Sequence, residues 1–207
     1  MHMERIICNT IDNLNKRGFL AEYAEDCAAA KARVLELVEG AQSIGMGGSV
    51  TVFKSGIQDA LAAAGYKIYG AAYAAKMGED PNQAVKMGVM ADVYMSSSNA
   101  ITEDGVLINI DGMGNRVAGL IFGPDKIIVV AGRNKIAANE AAAMERIKTI
   151  SCPMNGKRLK KQLPCALTGK CNDCRSADRM CRVTVKHEAP TRGKDFHIII
   201  INEDLGY

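Results

Sequence analysis

Four cysteines lie in one short segment near the end of the chain, with the spacing C-x5-C-x2-C-x6-C: Cys165, Cys171, Cys174 and Cys181. Four thiolates match the ligand requirement of a tetrahedral zinc ion or of a [4Fe–4S] cluster. Zinc ribbons usually pair two C-x2-C knuckles, whereas this segment has one C-x2-C between arms of unequal length. The spacing and the soft ligands therefore favour a [4Fe–4S] cluster over zinc, with a segment that binds no metal as the third alternative.

The other cysteines and the histidines near the segment are weaker candidates. Cys152 is a candidate substitute ligand or resolving thiol, with a packed side chain as the alternative. Cys8 and Cys27 lie beside or on apolar helical stripes, which predicts that both are core residues. His187 follows the cluster and is predicted to lie on the surface, and we assign no role to His197.

The charge of the chain is unevenly distributed. Residues 157–186 contain nine Lys and Arg against two acidic residues, a net of +7, whereas residues 1–156 contain 15 basic and 17 acidic residues, a net of −2. A solvated basic face is one interpretation. A second is that the basic residues stabilise the −2 charge of four thiolates around Zn²⁺ or an oxidised [4Fe–4S]²⁺ core. Nucleic-acid binding is disfavoured, because no aromatic residue is interleaved with the basic ones.

A glycine-rich loop at residues 45–51, with the sequence GMGGSVT, is the first candidate binding site. Backbone N–H groups at Gly47 and Gly48, together with the hydroxyls of Ser49 and Thr51, can hold a phosphate or carboxylate at the start of a helix. The loop lacks both the G-K-[ST] of a P-loop and the G-x-G-x-x-G spacing of a dinucleotide site. A tight structural turn is the alternative.

Polar residues also collect in a second loop system, residues 96–105 and 109–116. Glu103 and Asp104 are candidates for acid–base or nucleophilic work. Arg116 could clamp an anion through two N–H groups, with Asn115 beside it. Turn signals at Asp104-Gly105 and Asp111-Gly112 are the structural alternative.

The elements that must position these residues alternate between strand and helix. The first 40 residues are predicted to be helical, and helices are also predicted from residue 49 to before Gly65, from residue 80, and over 136–147. Strands are predicted at 42–46, 66–69, 93–96, 105–110, 117–122, 127–130 and 197–201. This order predicts an α/β fold with a mostly parallel sheet flanked by helices, in which a Cys-rich excursion precedes the last strand.

The chain of 207 residues, 48% of them hydrophobic, is long enough for one core. We therefore predict a single domain over residues 1–207, including N-terminal helices at 1–40 and a Cys-rich, basic, metal-binding segment at 152–187. No apolar run is long enough to cross a membrane, and the polar start indicates no secretory signal. A cytoplasmic protein with reduced thiols is the expectation.

Taken together, these motifs resemble the LUD domain family, whose members are associated with lactate utilisation. The resemblance covers nearly the whole chain and rests on GMGGSVT at 45–51, Gly56-Ile57, Ala60-Leu61, SSSNAITEDG at 96–105, Asn109, Asp111-Gly112, GNRVA at 114–118 and FGPDK at 122–126. A family subgroup ends in a segment like the four-cysteine segment found here. Lys54 is a departure, because many members are expected to have Glu there.

The resemblance implies a fold similar to that of the sugar-phosphate isomerase and coenzyme A transferase superfamily (NagB/RpiA/CoA transferase-like). It also implies oxidation of lactate to pyruvate together with iron–sulfur partners, and a cysteine-bound metal centre. The leading hypothesis is thus a component of lactate or 2-hydroxy-acid oxidation, which binds a small anionic metabolite and passes electrons through an iron–sulfur centre to an iron–sulfur or flavin protein. The alternatives are a non-redox isomerase or acyl-transferase with structural zinc, and a zinc-dependent nucleic-acid binder.

Overall fold

The structure is a computed structural model that describes residues 2–207, and it arranges the strands of this region in two sheets. The main sheet has six parallel strands in the spatial order β1 (Leu20–Ala24), β10 (Asp195–Ile201), β7 (Lys126–Gly132), β4 (Val93–Ser96), β2 (Ser43–Met46) and β3 (Lys67–Tyr69). The smaller sheet has the order β8 (Ile136–Ala137), β5 (Ala100–Thr102), β6 (Leu107–Asp111) and β9 (Val183–His187). The predicted α/β fold with a mostly parallel sheet is confirmed.

Central strands of the main sheet are apolar on both faces, as a sheet covered on both sides requires. In β10, Ile199 and Ile201 join the core on one side of the sheet, while Ile198 and Ile200 join the core on the other. All four side chains are fully buried. The uninterrupted isoleucine run therefore specifies a central strand rather than an edge.

Helices cover both faces of the main sheet and extend beyond it: α1 (His2–Lys16), α2 (Cys27–Leu37), α3 (Val50–Lys54), α4 (Ile57–Ala63), α5 (Ala71–Met77), α6 (Pro81–Gly88), α7 (Asn115–Phe122), α8 (Glu140–Arg146), α9 (Cys152–Arg158) and α10 (Pro164–Thr168). α2, α3 and α4 contribute to one core, and α1 and α7 contribute to the core on the opposite face. A π-helical stretch, Ile147–Ser151, joins α8 to α9. None of the helices within residues 2–207 is both long and apolar enough to cross a membrane.

Three predicted elements are wrong in whole or in part. The first 40 residues are not all helical, because β1 lies between α1 and α2 as the outermost strand beside β10. Asp26 marks the break: its side chain accepts a hydrogen bond from Ala29 N and caps α2. The predicted helix over 136–147 is shorter than expected, because residues 136–137 form β8 and the helix begins at Glu140.

The apolar run at 117–122 is also not a strand but most of α7. Gly114 has a φ of +83° immediately before the helix, a conformation that turns the chain out of β6 at little cost for glycine. Val117 and Leu120 face the core, whereas Phe122 is 85% exposed. A short apolar run is ambiguous between strand and helix, and here the burial of one face identifies the helix.

α7 lies unusually close to the main sheet at Gly119. A Cβ atom at this position would lie 2.2 Å from Cζ of Tyr94 on β4. The absence of a side chain at Gly119 therefore sets the distance between α7 and the strand that carries the second loop.

We predict that Gly119→Ala lowers the free energy of unfolding by ~1–3 kcal/mol, because the methyl group overpacks against the Tyr94 ring. Alanine favours a helix over glycine by about 1 kcal/mol, so an increase in stability would be expected if helix propensity alone decided the outcome. Urea unfolding measures the difference, and Ala118→Ser at an exposed position of the same helix is the control. A Gly119→Ala protein as stable as the wild type would contradict the close packing.

Candidate functional site

The carboxyl ends of neighbouring parallel strands bring the predicted loops together at one edge of the main sheet. β2 ends at the glycine-rich loop. Its neighbour β4 ends at residues 97–99, the part of the second loop system that we call the serine-rich loop, and β7 beside β4 ends at the 3-10 turn Arg133–Lys135. Gly47 N donates to Met95 O over 3.0 Å, and a Cβ at Gly47 would lie 2.7 Å from Ser96 Oγ. Ligands of open α/β sheets bind at this edge.

Within the glycine-rich loop, the two predicted hydroxyl ligands have partners inside the protein. Ser49 caps α3, because its Oγ accepts a hydrogen bond from Val52 N over 3.2 Å. Thr51 is fully buried and its Oγ1 donates to Leu205 O over 3.2 Å. Gly48 is exposed and has open space around its Cα. The loop is a tight turn whose free surface is the backbone at Gly48.

Arg116, predicted to clamp an anion, is buried and uses its donors internally. Its Nη1 donates to Ser97 O and Asn109 Oδ1, its Nη2 to Asn99 Oδ1 and Ile110 O, and its Nε lies 3.3 Å from Asp111 Oδ2. Asn115, half-buried at the start of α7, accepts from the Tyr94 hydroxyl through its backbone carbonyl. Arg116 thus holds the second loop in shape rather than reaching into open space.

Lys135 is the functional candidate that the sequence analysis missed. Its Nζ lies 2.9 Å from Ser97 Oγ and 3.0 Å from Ser98 O, and the side chain is almost entirely buried. Burial, followed by the charges of Arg146 and Arg116, lowers the pKa of Lys135 to about 7. The sequence feature that could have identified Lys135 is its position, because it lies three residues after Gly132, the end of an apolar strand.

Arg146 on α8 completes a group of basic side chains around the serine-rich loop. Its Nη1 donates to Asn99 O over 2.7 Å and to Ser151 Oγ over 3.0 Å, and its Nε donates to Asn134 O over 2.8 Å. Three cations, Arg116, Lys135 and Arg146, therefore contact the short segment 97–99. We call this arrangement the carboxyl-edge site.

Glu103 and Asp104 lie elsewhere, in the turn between β5 and β6. Asp104 pairs with Arg17 over 2.9 Å, and Asn13 Nδ2 donates to Glu103 O over 2.8 Å, so the turn packs on the end of α1. A hydrogen bond from Thr102 and the charge of Arg17 lower the pKa of Asp104. Four residues of extended chain, about 13 Å, separate Asn99 from Glu103. The structure does not bring these carboxylates to the carboxyl-edge site.

The four predicted metal ligands and Cys152 line one small cavity of about 20 Å³, together with Leu163, Asn172, Arg179 and Met180. Cys165 is buried, and the other four thiols are partly buried. Arg179 donates to Cys181 O and Cys174 O, each over 2.9 Å, which fixes the backbone of two cysteines. We call this arrangement the cysteine cavity.

The donor set of the cysteine cavity suits a soft metal centre, because its sulfur ligands are not mixed with carboxylates or imidazoles. Burial and the neighbouring thiols raise the pKa of Cys165, and they raise that of Cys152 to about 12. Within residues 2–207, no three His, Cys, Asp or Glu side chains are gathered closely enough around one point to hold a single metal ion. The thiols are instead distributed around the wall of the cavity.

The cysteine cavity and the carboxyl-edge site share a connecting loop after β6. Arg182 N donates to Asp111 O over 3.0 Å, and a Cβ at Gly112 would lie 3.0 Å from Met180 O. The Asp111 side chain in turn pairs with Arg116. The cysteine segment is therefore in direct contact with Asp111, the partner of the residue that shapes the second loop.

Three minor predictions from the sequence are wrong or incomplete. Cys8 is exposed rather than in the core. Cys27 is partly buried at the start of α2, where its Sγ donates to Glu203 over 3.4 Å, and burial and this contact raise its pKa to about 11. His187 is buried against Phe196 instead of lying on the surface, and burial lowers its pKa.

We predict that Gly47→Ala destabilises the protein by ~1–3 kcal/mol, whereas Gly48→Ala leaves stability within ~0.5 kcal/mol of the wild type. The added methyl group at Gly47 would lie 2.7 Å from both Ser96 Oγ and Arg116 Cγ, while Gly48 has no neighbour within 4 Å. Urea unfolding of the two variants measures the contrast. Equal stabilities would show that the glycine-rich loop does not pack against the second loop.

The low pKa of Lys135 predicts a pH-dependent stability. Below about pH 7 the folded and unfolded chains both bind this proton, so the cost of burying the charge is complete. Between about pH 7 and 10.5 the unfolded chain binds more protons, and stability rises with pH. Measured by urea unfolding without carboxylate or phosphate buffers, Lys135→Met should be more stable than wild type at pH 6, and the difference should shrink by pH 9. A difference that is independent of pH would contradict the shift.

Comparison with known proteins agrees with this architecture. The model of the LUD domain family matches residues 7–201. A crystal structure of a DUF162 family protein from Deinococcus radiodurans superposes with a TM-score of 0.56 over 97% of this chain and 98% of that chain, at 11% sequence identity, a likeness that shows the fold alone. No curated protein sequence matches significantly. From the family match over nearly its whole length, the chain belongs to the LUD domain family.

Proposed function

We propose that this protein takes part in the oxidation of lactate or a related 2-hydroxy acid, binding the small carboxylate at the carboxyl-edge site and holding a [4Fe–4S] cluster in the cysteine cavity. The observation that carries the proposal is the convergence of Cys152, Cys165, Cys171, Cys174 and Cys181 on one cavity beside the loop that ends at Arg116. Family membership supports the connection with lactate utilisation.

Cys165, Cys171, Cys174 and Cys181 would hold the cluster, with Cys152 as the fifth thiol of the same wall. A bound [4Fe–4S] cluster would supply one-electron transfer. Arg179 lines the same cavity and carries a positive charge beside the thiols, and a hydrogen bond with Cys181, together with the charges of Cys181 and Cys174, raises its pKa. Lys148, which precedes the basic segment, pairs with Asp173 over 3.0 Å, and the charges of Cys171 and Cys181 contribute to raising its pKa.

At the carboxyl-edge site, the role of this chain is to bind and orient the carboxylate. The exposed backbone of Gly48 and the cations around residues 97–99 supply donors and positive charge. Oxidising a 2-hydroxy acid to a 2-oxo acid releases two electrons and two protons. The proposal therefore requires an electron acceptor, for which an iron–sulfur or flavin protein is the expected partner.

The structure offers less support for a non-redox isomerase or acyl-transferase. That hypothesis relies on Glu103 and Asp104 as base or nucleophile. Asp104 is engaged with Arg17 at the far turn of the β5–β6 hairpin, away from the glycine-rich loop. An acyl-transferase would need a carboxylate other than Glu103 and Asp104 beside the glycine-rich loop.

Anaerobic purification followed by analysis of iron, acid-labile sulfide and zinc tests the metal part of the proposal. We expect about four iron and four sulfide per chain and a brown protein, because four thiolates hold one [4Fe–4S] cluster. Cys171→Ser and Cys174→Ser should each lose most of the iron, whereas Cys8→Ser, at an exposed cysteine outside the cavity, should keep it. A colourless wild-type protein with stoichiometric zinc would contradict the electron-transfer role.

A further inference from the structure

Positive charge exceeds negative charge in the interior of the carboxyl-edge site. Arg116, Lys135 and Arg146 are each at most 9% exposed. Asp111 pairs with Arg116, but within the described part of the chain neither Lys135 nor Arg146 has a carboxylate within 4.0 Å. Two buried cations are therefore satisfied only by neutral oxygens.

An arrangement of this kind is costly in the absence of a counter-ion. Buried charges are normally paired, because removing a cation from water is not offset by hydrogen bonds to neutral groups alone. Lys135 and Arg146 both contact the segment 97–99 and are close enough to oppose each other's charge. An anion from solution would relieve the repulsion of both at once.

Two unpartnered polar atoms give independent support for a ligand at this edge. Ser96 Oγ and Asn109 Nδ2 are buried and have no hydrogen-bond partner within residues 2–207. Ser96 adjoins Gly47 of the glycine-rich loop, and Asn109 accepts from Arg116 through its other amide atom. Buried donors without a partner are rare in folded proteins, and a bound ligand or water at this edge would satisfy both atoms.

The last residues of the chain cover Lys135. Leu205 N donates to Asn134 Oδ1 over 3.0 Å, and Thr51 Oγ1 donates to Leu205 O. These two hydrogen bonds hold the backbone of Leu205 beside the site. Gly206 follows with a φ of +69°, and a Cβ there would lie 2.5 Å from Thr51 Oγ1 and 3.5 Å from Lys135 Nζ. Only glycine allows so close an approach.

We propose that Lys135, rather than Arg116, is the cation that binds a small carboxylate or phosphate anion at the carboxyl-edge site, with Ser97 and Arg146 beside it and Gly206 as its cover. The inference rests on the binding half of the proposed function and names its principal residue. It is independent of which metal the cysteine cavity holds.

Calorimetric titration of the purified full-length chain with pyruvate, and separately with inorganic phosphate, tests this assignment. We expect Lys135→Met to weaken the binding of the favoured anion at least tenfold. Lys126→Met is the matched control, because Lys126 is the first residue of β7, at the end of the strand opposite to the turn that carries Lys135, and its Nζ donates to Leu37 O. That variant should bind like the wild type. Without ligand, Lys135→Met should also be at least as stable as the wild type near pH 6, which a purely structural lysine would not allow.

The outcomes separate the inference from the proposed function. Wild-type and Lys135→Met proteins that bind pyruvate equally would overturn the role of Lys135 and leave the proposed function standing. Binding of phosphate alone, lost in Lys135→Met, would support the anion site and contradict a carboxylate metabolite. A wild-type protein that binds neither anion would overturn the inference, while iron and sulfide content would still report on the cysteine cavity.

Deleting Gly206 and Tyr207 tests whether Gly206 shields the Lys135 side chain from solution. The truncated chain should acetylate at Lys135 at least several-fold faster than the wild type when treated with acetic anhydride, as measured by mass spectrometry of the peptide. A saturating concentration of the favoured anion should suppress the reaction. Equal acetylation of the truncated and full-length chains would contradict the covering role of Gly206.

Discussion

The buried guanidinium of Arg116 holds together the chain segments on which the carboxyl-edge site depends. It joins the serine-rich loop after β4 to β6 and to the loop after it, through bonds to Ser97, Asn99, Asn109, Ile110 and Asp111. Of these acceptors, those of Ser97 and Asn109 belong to buried residues, and a buried acceptor costs about 1–3 kcal/mol if left without a donor. The nitrogen donors of the Arg116 guanidinium are therefore used within the protein, so an anion at this edge must bind a different cation.

The ion pair between Arg116 and Asp111 also connects the Cys-rich segment to the carboxyl edge of the main sheet. Asp111 pairs with Arg116 through its side chain and accepts from Arg182 through its carbonyl. Gly112 lies against Met180, which also lines the cysteine cavity. The basic segment is thus fastened to the second loop by β9 and by these contacts, so that the two candidate sites are neighbours rather than separate modules.

The sequence predicts the buried strands of this fold better than the residues of its candidate site. Isoleucines in β10 and the apolar run of β4 identify buried parallel strands, because burial on both faces leaves a clear pattern. The run at 117–122 is ambiguous between strand and helix, and the close contact of Gly119 with Tyr94, which places the helix on the sheet, is revealed by no local pattern. Similarly, Glu103 and Asp104 look like acid–base candidates in sequence, yet the β5–β6 hairpin carries them to α1. Lys135 was missed because a single lysine after a strand has no motif around it.

The two candidate sites gather ionisable groups of opposite charge, thiols in the cysteine cavity and basic side chains at the carboxyl-edge site. In the cysteine cavity, burial and the charges of the neighbouring thiolates raise the pKa of Cys165 and of Cys152. At the carboxyl edge, the charges of Arg146 and Arg116 oppose protonation of Lys135. Under the proposed function, each arrangement would be stabilised by a bound partner of opposite sign, a metal centre in the first and an anion in the second. Asp111 and Arg116 lie between the two sites, and they contact both the cysteine segment and the serine-rich loop.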